Sequence, residues 1–214
     1  MSRFLPVRGS LLLTHLGLAV GLSSIAFGAS TVDTERPATL ELAQRATLVS
    51  LLDRAQAETL ELTKTVSADE WNRKPAEDHW SVGDVVQHLV LAERGLQKKI
   101  RKMAEAEPHP EWRALETPSF DALINLISDR SQKAQAPEFF HPKETWTKHQ
   151  AIEAFLETRH ATRTYVLETT DPLESAVAPS PFGSDLTGTK FLAVIGAHNL
   201  RHNQQIQEVA GATR

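Results

Sequence analysis

Proline and glycine are so widely spaced in this chain that long helices are the natural filling of the gaps. Neither residue occurs from Ala38 to Lys74 or from Lys143 to Asp171, and no proline occurs from Ala76 to Glu107 or from Phe182 to Arg214. Both residues interrupt helices, so uninterrupted windows of this length favour them. Each window also repeats apolar residues at helical steps. Leu48, Leu51, Leu52, Ala55, Leu62 and Val66 form the first stripe. Val85, His88, Leu89, Ala92 and Leu96 form the second. Ile152, Phe155, Leu156, Arg159 and Val166 form the third, and Phe191, Val194, Ile195, His198, His202, Ile206 and Val209 the fourth. The pattern predicts an all-α helical bundle.

The boundaries carry their own signals. Ser81 stands three residues before Asp84, a capping-box spacing, with Trp80 placed to staple the start. Ser67-Ala68-Asp69-Glu70 reads as a helix end or a new cap, and Thr189 as the cap of the last helix. Pro108, Pro110, Pro118, Pro137 and Pro142 mark an insert between the second and third windows. Within it a short extra helix is predicted from Ser119 to Ala134. No stretch alternates apolar and polar residues, so no strand is expected.

The N-terminus reads as a targeting segment. Arg3 and Arg8 precede a run without charge from Gly9 to Val32, whose apolar part, Leu16 to Phe27, has signal-peptide length. Small residues follow at Gly28, Ala29 and Ser30. The expected organisation is a Sec-type signal peptide over 1–30, a lead over 31–44 and the bundle domain over 45–210. The mature chain is then periplasmic or secreted, with no stable membrane insertion after cleavage. Among the 214 residues there is no cysteine. That excludes disulfides, thiolate metal ligands and a thiol nucleophile, and it suits an oxidising compartment. A formal net charge of −4 argues against nucleic acid as a partner. The basic run Lys98 to Lys102 reads as a solvated helix end.

The chemistry is in the histidines. His198 and His202 are four apart, which stacks both rings on one helix face, and both lie on the apolar stripe. His88 lies on the stripe of another helix. Three inward imidazoles can form a three-nitrogen metal site with positions left open for substrate. The alternative is three core histidines satisfied by hydrogen bonds. Burying them without a shared partner would cost several kcal/mol, on the order of 1–3 kcal/mol for each unmet group. Asn199 follows His198 where the zinc-protease motif has glutamate, so that motif's general base is missing. Arg201, three positions from His198, reads either as a holder of an anionic substrate group or as a surface ion-pair partner. Gln205, three past His202, can support that ligand from behind. Asp84 reads as a cap, and Glu93, five past His88, as a solvated charge. Trp71, Trp80, Trp112 and Trp146 read as core or helix-end anchors. His79, His109, His141, His149 and His160 read as surface or loop residues.

The segment from Trp80 through Ser81, Val82, Gly83 and Asp84 to His88-Leu89, with Glu93 after it, resembles the second helix of the DinB-like metal-dependent superfamily. Its last helix resembles Phe191 to Ile206, with His198-Asn199-Leu200-Arg201-His202 and Gln205-Ile206. Pro181-Phe182-Gly183 with Leu186-Thr187 resembles the preceding loop. Leu51-Leu52 with Val66 to Trp71 and Lys74-Pro75 fits the first helix. The resemblance spans about residues 45 to 210.

It implies a four-helix bundle with one long crossover connection, and a divalent metal on His88, His198 and His202. Zinc or nickel is favoured, with iron or manganese as alternatives. Characterised members of the family use the metal to activate a low-molecular-weight thiol, as isomerases or S-transferases. A metal-dependent hydrolase or thiol S-transferase acting on a small molecule is therefore expected. The alternative is a non-catalytic metal- or ligand-binding bundle in the periplasm. A homodimer is expected on family grounds. The export signal and the proline-rich insert between Met103 and Thr147 depart from the thiol-using members and weigh against a cytosolic thiol as cosubstrate.

Overall fold

The computed structural model describes residues 38–131 and 136–212. The expected signal peptide and the first part of the lead lie outside these residues. Six helices follow one another: α1 (Leu42–Lys64), α2 (Ala68–Trp71), α3 (Val82–Ala104), α4 (Phe120–Ser128), α5 (Lys148–Glu168) and α6 (Gly188–Ala212). The four long ones, α1, α3, α5 and α6, occupy the four breaker-poor windows. They pack as a ring in which α6 touches α1 and α3, and α5 touches the same two from the other side. The long crossover runs from α3 to α5 and carries α4, which lies against α6. Among the described residues no helix is long and apolar enough to cross a membrane.

Local chemistry sets the helix starts. Ser81 Oγ accepts from Asp84 N at 3.0 Å while Ser81 N donates to Asp84 Oδ2 at 3.0 Å. Reciprocal boxes of the same kind start α2 at Ser67 and Glu70 and α5 at Thr147 and Gln150. Each satisfies backbone N–H groups that the first turn leaves orphaned. The expected domain start at residue 45 falls inside α1, and Leu40 ahead of it is already buried in the core.

Three expectations about the elements need correction. The insert helix stops at Ser128, short of Ala134. Asp129 turns its side chain onto Ser131, accepting from its N–H and hydroxyl at 2.8 Å each, and leaves the helical conformation. This is the local competition by which aspartate ends helices. Secondly, a two-strand hairpin precedes α6, pairing β1 (Val177–Pro179) with β2 (Asp185–Thr187). Its turn contains Gly183 at φ 84°, a left-handed conformation that glycine adopts freely. Thirdly, α6 starts from that strand and not from a Thr189 cap: Thr187 Oγ1 accepts from Lys190 N at 3.3 Å. Thr189, the second residue of α6, is buried, its hydroxyl without a hydrogen-bond partner among the described residues.

The core has an apolar part and a polar seam. The apolar part gathers Leu48, Leu51 and Leu52 of α1 with Phe191, Leu192 and Ile195 of α6. The seam joins all four long helices. The Arg159 guanidinium on α5 donates to Glu93 Oε2 of α3 at 2.9 Å, to Leu52 O of α1 at 2.7 Å and to Asn199 Oδ1 of α6 at 2.8 Å. Asn199 Nδ2 donates to Thr59 Oγ1 of α1 at 2.9 Å and to Asn203 Oδ1 at 3.0 Å. Asn203 Nδ2 donates to Ala55 O at 3.0 Å. Glu93 is therefore no solvated charge: it is 3 % exposed and Arg159 is 1 % exposed. Glu93 does turn away from the His88 face, but α3 is covered on that side too, by α5.

Where α1 crosses α6 the backbones approach closely at Gly196, and a Cβ there would lie 2.6 Å from Leu51 Cγ. Leu51 is itself core, so it has little room to move. Gly196→Ala should lower the unfolding free energy by about 1–3 kcal/mol, the scale of core overpacking, measured by urea denaturation. An unchanged midpoint would mean that the α1–α6 crossing relaxes freely.

Candidate metal centre

Two helices supply the three histidines. His88 lies two turns into α3, anchored by the Ser81–Asp84 box. His198 and His202 lie one turn apart on α6, the face that the i, i+4 spacing dictates. Their ring nitrogens converge. His88 Nε2 is 3.3 Å from His198 Nε2, and His202 Nε2 is 3.1 Å from the same atom. His88 and His202 are buried, and His198 is half-buried as a residue. Among the described residues this trio forms the group of side chains able to hold a metal ion.

The outer nitrogens fix the tautomers. His88 Nδ1 is 2.9 Å from the carbonyl oxygen of Phe140, which can only accept, so the proton sits on Nδ1. His202 Nδ1 donates likewise to Gln205 Oε1 at 2.7 Å. Both rings therefore turn a bare Nε2 lone pair inward. This is how metal-binding histidines are held elsewhere, with the far N–H committed to an oxygen. Without a cation, only His198 can bring a proton to the interior, sharing it between two acceptors.

The spacing fits a metal. With bonds of about 2.0–2.1 Å, ligand nitrogens stand about 3.3 Å apart in a tetrahedral centre and about 2.9 Å apart at right angles. The observed 3.1 and 3.3 Å fall in that range. A cation equidistant from the three nitrogens would replace facing lone pairs with three bonds.

Electrostatics keep the rings neutral, the form that binds metal. Burial lowers the His88 pKa, outweighing the help from the Phe140 carbonyl. Burial, with His88 and Arg201 nearby, pushes His198 down to about 3. His202 is held well below its usual value by burial and by the other two imidazoles.

Aromatic rings wall the site. Trp80, partly buried, lies 4.8 Å from the His88 ring and stacks at 6.4 Å on His202. The Phe140 ring meets His88 edge-on at 6.4 Å. Trp80 thus closes one side of the triad besides marking the helix start. His141, an exposed loop residue, packs against Trp80 at 5.7 Å.

The other candidates have identifiable partners. Gln205 orients His202, as above. Arg201 Nη1 donates to the carbonyls of Ile127, at 3.4 Å, and of Asp129. It thereby ties the C-terminal end of α4 to α6 at the site's edge. Arg130 beside it is bound to Glu208 Oε2 at 2.8 Å. Asp84 serves the helix cap, with Lys74 at 3.7 Å, and takes no part in the triad. The Phe140 carbonyl is the contributor that sequence reasoning missed. A backbone oxygen has no residue signature, and it arrives from the long crossover.

A family model described as the DinB superfamily matches residues 51–206. The uncharacterized protein YuaE of Bacillus subtilis (strain 168) is 25% identical over 162 residues, covering 75% of this chain and 96% of that one. No solved structure matches the chain significantly.

The depressed pKa values link folding to pH. Unfolded imidazoles titrate near about 6.5. Between that value and the lower folded ones the unfolded chain binds more protons, so stability rises with pH. It should be full above about pH 6.5 and fall as the pH drops, by up to about 1.4 kcal/mol per pH unit for each histidine. Urea denaturation of chelator-treated protein between pH 7.5 and 4.5 checks this. The His198→Ala, His202→Ala variant should show a shallower slope; equal slopes would contradict neutral burial of these rings.

Proposed function

The chain belongs to the DinB superfamily, and from that premise we propose that it is an exported protein binding one divalent metal through His88, His198 and His202, acting as a metal-dependent hydrolase or transferase on a small molecule. The observation that supports it best is the convergence of three Nε2 atoms with two of the outer nitrogens already committed. Zinc or nickel suits three neutral nitrogen donors, with iron and manganese as alternatives. When bound, such an ion supplies Lewis acidity toward a water, a thiol or a carbonyl, because neutral ligands leave its charge uncompensated. Residues 1–30, with their basic start and apolar run, support export.

The chain's own groups prepare that chemistry. The Phe140 carbonyl and Gln205 hold two ligand rings in the metal-binding tautomer. Trp80 and Phe140 shield the ligand rings from water on one side. Of the three ligands His198 is the half-buried one, which favours its side for the approach of a substrate. Arg201 sits at that edge, close enough to lower the His198 pKa. A substrate group carrying negative charge is favoured there.

A second reading is a bundle that binds metal or a small ligand without turnover. One observation favours it: the triad contains no carboxylate to serve as a general base. Substrate screening of the metal-loaded protein separates the two readings.

Elemental analysis of the untagged protein should find about one metal ion per chain. The His198→Ala, His202→Ala variant should hold none, and equal metal in both would contradict the site. Gln205→Leu removes the acceptor behind His202 and should weaken metal binding by about 10- to 100-fold, read by chelator competition. Unchanged affinity would assign Gln205 no part in orienting the ligand.

A further inference from the structure

The polar seam shares its helices with the metal centre. His88 and Glu93 both ride on α3, and His198 and Asn199, like His202 and Asn203, are sequence neighbours on α6. One residue step rotates a helix by about 100°. The two imidazoles of α6 therefore face α3, while the two amides one step on face α1 and α5. Asn199 and Asn203 make five hydrogen bonds there: two with Thr59, one to Ala55 O, one accepted from Arg159 and one to each other. Arg159 continues the chain to both carboxylate oxygens of Glu93, and Thr162 Oγ1 donates to Glu93 Oε1 at 2.5 Å.

We infer that the Glu93–Arg159–Asn199 chain is a positioning device for the metal ligands: it locks the rotation of α6 against α3 so that His198 and His202 meet His88. This rests on the metal reading above.

Two considerations carry it. A buried ion pair is a poor source of stability, since apolar residues of similar size commonly do as well or better. Its known use is to fix register and orientation, because a wrong arrangement leaves charges unpaired. The demand on rotation is severe. With ring atoms about 6 Å from the helix axis, a turn of about 2° moves a nitrogen about 0.2 Å, the tolerance of a metal–ligand bond. Hydrogen bonds from Asn199 and Asn203 to two other helices resist such a turn directly.

The test uses cobalt(II) as the probe, because its visible d–d bands report ligand number and geometry. Three full-length proteins are compared: wild type, the Glu93→Leu, Arg159→Met double variant and Asn199→Ala. Each is assayed for cobalt affinity by chelator competition, for its visible bands and for its metal-free urea midpoint. The double variant should keep a urea midpoint near or above wild type. It should still bind cobalt about tenfold or more weakly, with altered bands. Asn199→Ala, which deletes one amide, should weaken cobalt binding in the same direction. Wild-type affinity and superimposable bands in either folded variant would overturn the inference while leaving the metal centre intact. Failure of both variants to fold would also overturn it, marking the seam as a stability element. A wild-type chain that takes up no cobalt would overturn the metal reading and this inference with it.

Discussion

The inward lone pairs of His88 and His202 are the constraint around which the rest of the fold is arranged. Their outer protons are spent on the Phe140 carbonyl and on Gln205. Their inner nitrogens therefore face His198 Nε2 across 3.3 and 3.1 Å with one proton at most among them. A cation would satisfy that arrangement, one bond to each ring. To build it the chain uses a capped α3, a long crossover that delivers one carbonyl, and a central α6. Burial and mutual repulsion keep all three rings neutral, the form a metal requires.

Helix α6 is the hub. It touches α1, α3 and α4, and apolar, amide and imidazole groups share its circumference. Apolar residues fill the contact with α1 and α4. The imidazoles meet α3, and the amides reach α1 and α5. Arg201 extends the helix's reach to the C-terminal carbonyls of α4, so the edge of the histidine triad is held from the insert as well. Chemistry and architecture are separated by one residue step, about 100° around one helix, so each set of polar groups meets its own partners deep in the bundle.

Much of this was legible in the sequence. The helix windows were marked by their breakers, and the triad by an i, i+4 pair and one further histidine on apolar stripes. What was not legible follows from geometry. Glu93 reads as exposed when α3 is treated as having one buried face, yet α5 covers a second face and brings Arg159 to it. The hairpin of Val177–Pro179 with Asp185–Thr187 is too short to show alternation. Asp129 ends α4 through its own side chain, a signal that a helical window hides. The Phe140 carbonyl is a backbone atom placed by a connection of more than forty residues, beyond the reach of any local pattern.

The most direct measurement is a crystal structure of the zinc-loaded protein with anomalous diffraction data collected on both sides of the zinc absorption edge. One anomalous peak is expected about 2.0–2.1 Å from the Nε2 atoms of His88, His198 and His202, with the Nδ1 contacts of His88 and His202 unchanged. A peak bound elsewhere, or a triad whose rings bond to one another with no peak between them, would contradict a metal centre at the heart of this bundle.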